Sequence, residues 1–247
     1  AAKNYKDVLV ITNPKDYYTI ITEYRNKSYQ KVYDEKLHIQ MARKAWDHVA
    51  RYDMAISTYF NSDINYRVYN HQHRLKYGCN PHQTNSNIHT ITHFGRGVID
   101  QELPFKIING ILGYINILDA VNSWQLVCEL GQTLKTEAAA SFKHTSPAGV
   151  GIGYFARKNE PNTIVNNLIN NTLGNAYFLN YPEQYSGGIT AYLRARNADP
   201  MSSFGDFLAF YGCVDEHLAK LIKKEVSDGI IALDFTPGAI NILKQKK

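Results

Sequence analysis

Short apolar runs and longer amphipathic stretches alternate along the chain. "DVLVIT" (7–12) is brief and rich in Val and Ile, the pattern of a buried strand. Asn13-Pro14 offers an N-cap and an N1 proline, which predicts a helix running to about Arg25. From about Tyr33 to Phe60, Leu37, Met41, Trp46, Val49, Met54 and Ile56 place one wide apolar face on a long helix. "NSDINYRVYNHQHR" (61–74) is polar and without a period, so it predicts a linker, with a domain boundary near residue 70. "IHTITHF" (88–94) alternates as a half-buried strand does.

The stretch "FKIINGILGYINILDAVNSWQLVCEL" (105–130) predicts a strand, a turn at Asn109-Gly110 and Gly113, and a helix from about Ile115. Leu118, Val121, Leu126 and Leu130 form the stripe of that helix. "AAASF" (138–142) is a strand that stops on Lys143. An amphipathic helix is predicted between Lys158 and Asn175 on Ile164, Val165, Leu168 and Leu173. "YSGGITAYL" (185–193) and "FGDFLAFYG" (204–212) predict strands. A helix over 215–226, a strand over 228–235 and a helix opened by Pro237 follow. Strands alternating with helices predict a layered α/β fold, a sheet covered by helices.

Charge and composition narrow the function. The net charge of +5 is spread over scattered lysines, which suits an anionic ligand. No basic surface interleaved with aromatics is present, so nucleic acid is not an expected partner. Cys79, Cys128 and Cys213 lie too far apart for a disulfide framework or a zinc site, which points to a reducing compartment. His71, His73, His82, His89 and His93 match no familiar ligand spacing, and no metal site is expected. No apolar stretch reaches the ~18 residues of a membrane span, so no membrane role is expected. There is no signal-peptide pattern at the start, and both ends read as cut from something longer.

Candidate chemistry centres on "AAASFKHTSPAG" (138–149), where an apolar run stops on two titratable residues. His144 has the character of a general base near neutral pH, and the Lys143 ammonium can stabilise an oxyanion. The small "SPAG" stretch after them would let a ligand approach the backbone. In the competing reading Lys143 reaches solvent and His144 bonds a backbone group. In "KYGCNPHQ" (76–83), Lys76 could meet a phosphate, and Tyr77 and His82 a base. An ordinary surface turn is the alternative. Asp206 and Asp228 each sit beside a glycine and could accept hydrogen bonds from a ribose or an amine, or simply form turns.

Five segments, "LKYGCNPHQ", "INGILGYINILDAVNSWQLVCEL", "AAASFKHTSPAGVGIG", "RARNADPMSSFGDF" and "EVSDGIIA", follow one another in a familiar order. In them the chain resembles the bifunctional AICAR transformylase/IMP cyclohydrolase family of purine biosynthesis. The resemblance implies that residues 1–70 are the C-terminal part of an α/β cyclohydrolase domain. It implies that residues 71–247 are the first half of a transformylase domain with a cytidine-deaminase-like layered fold. The implied reactions are formyl transfer from the cosubstrate 10-formyltetrahydrofolate to AICAR, giving FAICAR, and cyclisation of FAICAR to IMP. By resemblance His144 is the proton acceptor, Lys143 the charge stabiliser and Lys3 the proton-transfer lysine of the cyclisation. Lys76, Tyr77, His82, Asn116, Gly205 and Asp228 inherit AICAR binding. Where the family usually has arginine, this chain has Lys76, which offers a point charge in place of a bidentate fork. A cytoplasmic homodimer is implied, with a monovalent cation held outside this chain. The resemblance also implies a piece inactive on its own. The competing reading is a catalytically silent fragment that binds nucleotide or acts through dimerisation.

Overall fold

The computed structural model describes residues 1–26, 34–95, 98–153 and 187–246. They fall into two compact units, Ala1–Gln72 with His89–Lys106, and His73–Ile88 with Ile107–Lys247. The helix predicted between Lys158 and Asn175 lies outside the described residues.

The first unit holds helices α1 (Tyr17–Asn26) and α2 (Glu35–Phe60). A three-stranded sheet of order β1-β2-β3 follows, with β1 Tyr66–Arg74, β2 Asn87–Phe94 and β3 Val98–Asp100. Asn13 and Pro14 open a short 3-10 turn leading into α1, as predicted, with the Asn13 side chain accepting the Lys15 N–H. Asp34 caps α2 by accepting the Lys36 and Leu37 N–H groups at 3.0 and 3.2 Å. The predicted strand over 7–12 does not form. The N–H groups of Asp7 and Val8 turn back onto the Asn4 carbonyl, and the rest of the run joins no ladder. The predicted apolar face of α2 is also displaced: His38, Met41, Ala42 and Ala45 are buried, whereas Trp46, Val49 and Ile56 are exposed.

The expected linker over 61–74 is largely strand β1. Tyr66, Val68 and Asn70 are half-buried and alternate with exposed Arg67, Tyr69 and His71. The period is hidden because one inward position is polar. Arg51 of α2 donates to Asn70 Oδ1 at 2.5 Å, and Asn70 in turn donates to Thr92 Oγ1 at 2.9 Å, so the inward amide is bonded.

The second unit is a layered α/β structure. Its four-stranded sheet has the order β5-β4-β6-β7, with β4 Ala138–Lys143, β5 Ser146–Ile152, β6 Asp206–Val214 and β7 Ser227–Phe235. β4 pairs antiparallel with both β5 and β6, while β6 and β7 run parallel. Helix α3 (Tyr114–Leu134) covers one face, where Val127 meets Ala138, Ala140, Phe142 and Ala209. Helices α4 (Gly187–Ala198), α5 (Glu216–Lys224) and α6 (Pro237–Leu243) supply the core on the other face. β4 is buried from Ala138 to Phe142 because both faces are covered: Ala139 points to one core and Ala138, Ala140 and Phe142 to the other.

Residues 187–193, predicted as strand, are helical. They are all buried, and a short run with no exposed positions carries no period to tell helix from strand. What places α4 is a column of glycines on β5. A Cβ at Gly149 would overlap the Ala195 carbonyl, and one at Gly151 the Ala191 carbonyl. One at Gly153 would crowd Gly187. The alternate glycines of "GVGIG" thus leave a flat face on which the helix backbone rests, and the space they free is filled by α4, not offered to a ligand. Gly151→Val is therefore expected to destabilise the fold by about 1–3 kcal/mol or more, the usual range for overpacking. Urea unfolding measures it, and an unchanged midpoint would show that the helix can yield.

Candidate active site at one rim of the second unit

The mixed sheet brings unlike strand ends together. β4 ends on Lys143 where β6 begins at Asp206 and β7 at Ser227, because β6 runs against β4 and along β7. The N-terminal turns of α3 reach the same rim.

Lys143 is half-buried and donates through Nζ to the Phe204 carbonyl at 2.5 Å. Gly205 has φ +73°, and a Cβ there would lie 3.7 Å from Lys143 Nζ. Its N–H is bonded to the Val226 carbonyl at 2.9 Å. A left-handed glycine thus turns the chain beside the ammonium group. Asn116, in the first turn of α3, uses both ends of its amide. Oδ1 accepts the Gly113 N–H at 3.0 Å, and Nδ2 donates to Asp228 Oδ2 at 3.2 Å. The first contact caps the helix, and the second ties α3 to the start of β7.

His144 is exposed. It and Thr145 form a two-residue turn joining β4 to β5, with Lys143 paired to Ser146. Their φ angles are +53° and +64°. Two positive φ values are the mark of a type I′ hairpin, which strongly favours Asn and Gly. Here neither residue is Asn or Gly, and such conformations cost on the order of 1–3 kcal/mol each. The buried Asp119 carboxylate, on α3, accepts the Thr145 N–H at 2.6 Å. A hydrogen bond to a charged group contributes about 1.5–3 kcal/mol, enough to offset much of that cost.

Lys76 and Tyr77 run beside the start of α3. The Lys76 N–H bonds to the Leu112 carbonyl at 2.9 Å and the Tyr114 N–H to the Tyr77 carbonyl at 3.1 Å. The Tyr77 ring packs where Gly113 has no side chain. His82 is exposed on the following loop, which is closed by Gly78 N–H to the Gln83 carbonyl at 2.9 Å. The structure thus gathers Lys143, His144, Asn116, Gly205 and Asp228 at one rim and puts Lys76 and Tyr77 at the foot of α3. Lys3 lies in the first unit. Among the described residues no group of three His, Cys, Asp or Glu is arranged to hold a metal ion. None of the described helices is long and apolar enough to cross a membrane.

Behind Lys143 lies a buried polar cluster. Ser141, two residues before it on β4, donates to Asp206 Oδ2 at 2.6 Å and bonds Ser203 at 2.9 Å. Arg196 of α4 pairs with Asp206 at 2.7 Å, their side chains 5% and 0% exposed. Arg196 also donates to the Ser203 and Val226 carbonyls and meets Glu225 at 3.3 Å. Asp206 is therefore spent on the interior and is not the ribose or amine acceptor that its position in the sequence allowed.

Residues 1–247 match the family described as AICARFT/IMPCHase bienzyme. The chain belongs to that family. Similar proteins include the bifunctional purine biosynthesis protein PurH of Clostridium botulinum type A strain Hall, 30% identical over 252 residues. The PurH of the type Ba4 strain is 31% identical over 252 residues. Both alignments cover 100% of this chain and 42% of the relative, so the chain spans less than half the length of these AICARFT/IMPCHase proteins.

Sequence reasoning missed Asp119 and the Arg196 cluster. The predicted stripe of α3 runs through Leu118, Val121, Leu126 and Leu130; Leu126 and Leu130 do pack against the core, while the buried positions include Asp119, Ser123, Val127 and Gly131, at a spacing of four. That spacing was the available signal. Apart from Val127 the row is small or polar, and so escapes a search for apolar residues.

Burial pushes the Asp119 carboxyl above its ordinary range, against the opposing pull of the Thr145 N–H and His144, while Asp228 adds to the rise. A carboxyl raised in the folded state ionises first in the unfolded chain. Stability is then full at low pH and falls as pH rises through the ordinary carboxylate range toward the folded value. Asp119→Asn removes this fall while keeping an acceptor oxygen. The difference in unfolding free energy, variant minus parent, is expected to become more favourable between about pH 3 and pH 7. Urea melts at the two pH values measure it, and a difference that moves the other way would contradict the burial argument.

Proposed function

We propose that the protein carries out the last two steps of de novo IMP synthesis. These are formyl transfer from 10-formyltetrahydrofolate to AICAR and closure of FAICAR to IMP. The reading is supported by family membership and by its relatives, which are named as purine biosynthesis proteins. The observation that carries it is the pairing, at one strand end, of an exposed imidazole with an ammonium group tethered by a carbonyl.

The 5-amino group of AICAR is a poor nucleophile because its lone pair is delocalised into the ring and toward the carboxamide. His144 takes its proton as nitrogen attacks the formyl carbon. Lys143 stabilises the oxygen that becomes negative in the tetrahedral intermediate. Collapse breaks the bond to the folate nitrogen, which leaves protonated as tetrahydrofolate. Asn116 and Asp228 present an amide and a carboxylate to the substrate, Gly205 gives it access to the backbone, and Tyr77 and His82 orient its base. Lys76 meets the phosphate beside the N-terminus of α3, where the helix dipole also favours an anion. Lys3, in the first unit, moves the proton of the cyclisation.

The domain assignment belongs to the same proposal. Residues 1–70 form the end of a cyclohydrolase domain and 71–247 the first half of a cytidine-deaminase-like transformylase domain. The protein acts as a cytoplasmic homodimer, with any monovalent cation held outside this chain. The direct test supplies AICAR and 10-formyltetrahydrofolate to the full-length protein. Tetrahydrofolate and FAICAR should form in equal amounts, and IMP should follow. Tetrahydrofolate formation independent of AICAR would overturn the reading.

A further inference from the structure

The turn that carries His144 is held in an unfavourable conformation, and among the described residues the Asp119 side chain is the one bonded to its backbone from another element. We propose that Asp119 is a positioning residue for His144. By accepting the Thr145 N–H, its buried carboxylate locks the two-residue turn and so fixes the direction in which the imidazole projects. The catalytic consequence rests on the function proposed above; the clamp itself does not.

Three observations carry the inference. The turn residues are a histidine and a β-branched threonine at φ +53° and +64°, a conformation that such side chains rarely adopt unaided. The Asp119 side chain is 6% exposed and accepts the Thr145 N–H at 2.6 Å, short for an amide donor. Asp119 also stands one helical turn beyond Asn116, whose amide holds Asp228. One face of α3 therefore fixes both the histidine turn and the carboxylate at the start of β7. The cost of desolvating the Asp119 carboxylate, visible in its raised pKa, marks this as an expensive way to fasten a turn that glycine would fasten freely. Glycine in place of His144 would leave the strand end without its imidazole.

The test uses the full-length protein and the variants Asp119→Ala, Asp119→Asn and Asp119→Ala with Thr145→Gly. Asp119→Ala should lower kcat for formyl transfer about tenfold or more, because a small misplacement of a reacting group is costly. KM for AICAR should change less than about threefold, since ground-state binding is untouched. Asp119→Asn, which keeps the acceptor, should lose less than about a third of what Asp119→Ala loses on a logarithmic scale. Adding Thr145→Gly to Asp119→Ala should restore most of kcat, because glycine accepts a positive φ without a clamp. A merely structural role would not predict rescue by a change that adds no contact.

Hydrogen exchange at the Thr145 amide gives a readout free of activity. It should quicken by about tenfold or more in Asp119→Ala and less in Asp119→Asn. Unchanged exchange in Asp119→Ala overturns the clamp. Equal loss of kcat in Asp119→Ala and Asp119→Asn without rescue by glycine overturns it too, and assigns the carboxylate a direct electrostatic role. If the parent protein transfers no formyl group, the proposed function fails, and exchange at Thr145 still decides whether Asp119 holds the turn.

Discussion

His144→Ala is expected to abolish formyl transfer in the full-length protein while leaving FAICAR cyclisation largely intact. A positioned general base contributes roughly 100- to 10,000-fold, so kcat for transfer should fall by at least about two orders of magnitude. The selectivity follows from location. His144 sits at the rim of the second unit, whereas Lys3, the proposed proton carrier of cyclisation, belongs to the first. The side chain is exposed, so its loss leaves no cavity and the fold should persist. Assays of each step on its own substrate, with circular dichroism as a folding control, decide the matter. Equal loss of both activities in a folded variant would sink the assignment.

The largest stability effect is expected at Arg196. Arg196→Met leaves the Asp206 carboxylate buried without its ion-pair partner, with only the more distant Lys246 ammonium near it, and strips donors from the Ser203 and Val226 carbonyls. Breaking a buried pair by removing one partner typically costs about 3–5 kcal/mol. Replacing both partners, Arg196→Met with Asp206→Leu, should cost less than Arg196→Met alone, because no orphaned charge remains. Urea unfolding of the single and double variants gives both numbers. A loss below about 1 kcal/mol for Arg196→Met would mean that water reaches Asp206 and that the cluster is not the closed interior seen here. The same cluster anchors Ser203 and Asp206 on either side of Phe204, whose carbonyl holds Lys143. A weakened cluster should therefore also loosen the ammonium.

How much of this was legible depends on what the signal was made of. The strand ending on Lys143 and the helices opened by Asn13-Pro14 and Pro237 could be read because apolar runs and capping residues are local signals. β1 was hidden by an inward asparagine whose partner lies on α2, and α4 by burial so complete that it erased the helical period. The glycines of β5 were visible, but their purpose was not, since the atoms they make room for belong to a helix dozens of residues away. At the rim, Lys143 and His144 stood out as two titratable residues at a strand end. Asp119 did not, because a carboxylate in a helix reads as solvated until the fold shows that it faces inward.

The left-handed turn also bears on the order of assembly. Hairpins usually start from a turn that forms by itself, and this one lacks the Asn or Gly that would let it do so. Its stabilising contact comes from α3, so the turn between β4 and β5 is expected to settle once that helix has docked. The imidazole would then be among the last parts of the rim to find its place. A partly folded chain is then expected to hold β4, β6 and β7 together before the His144 imidazole is fixed.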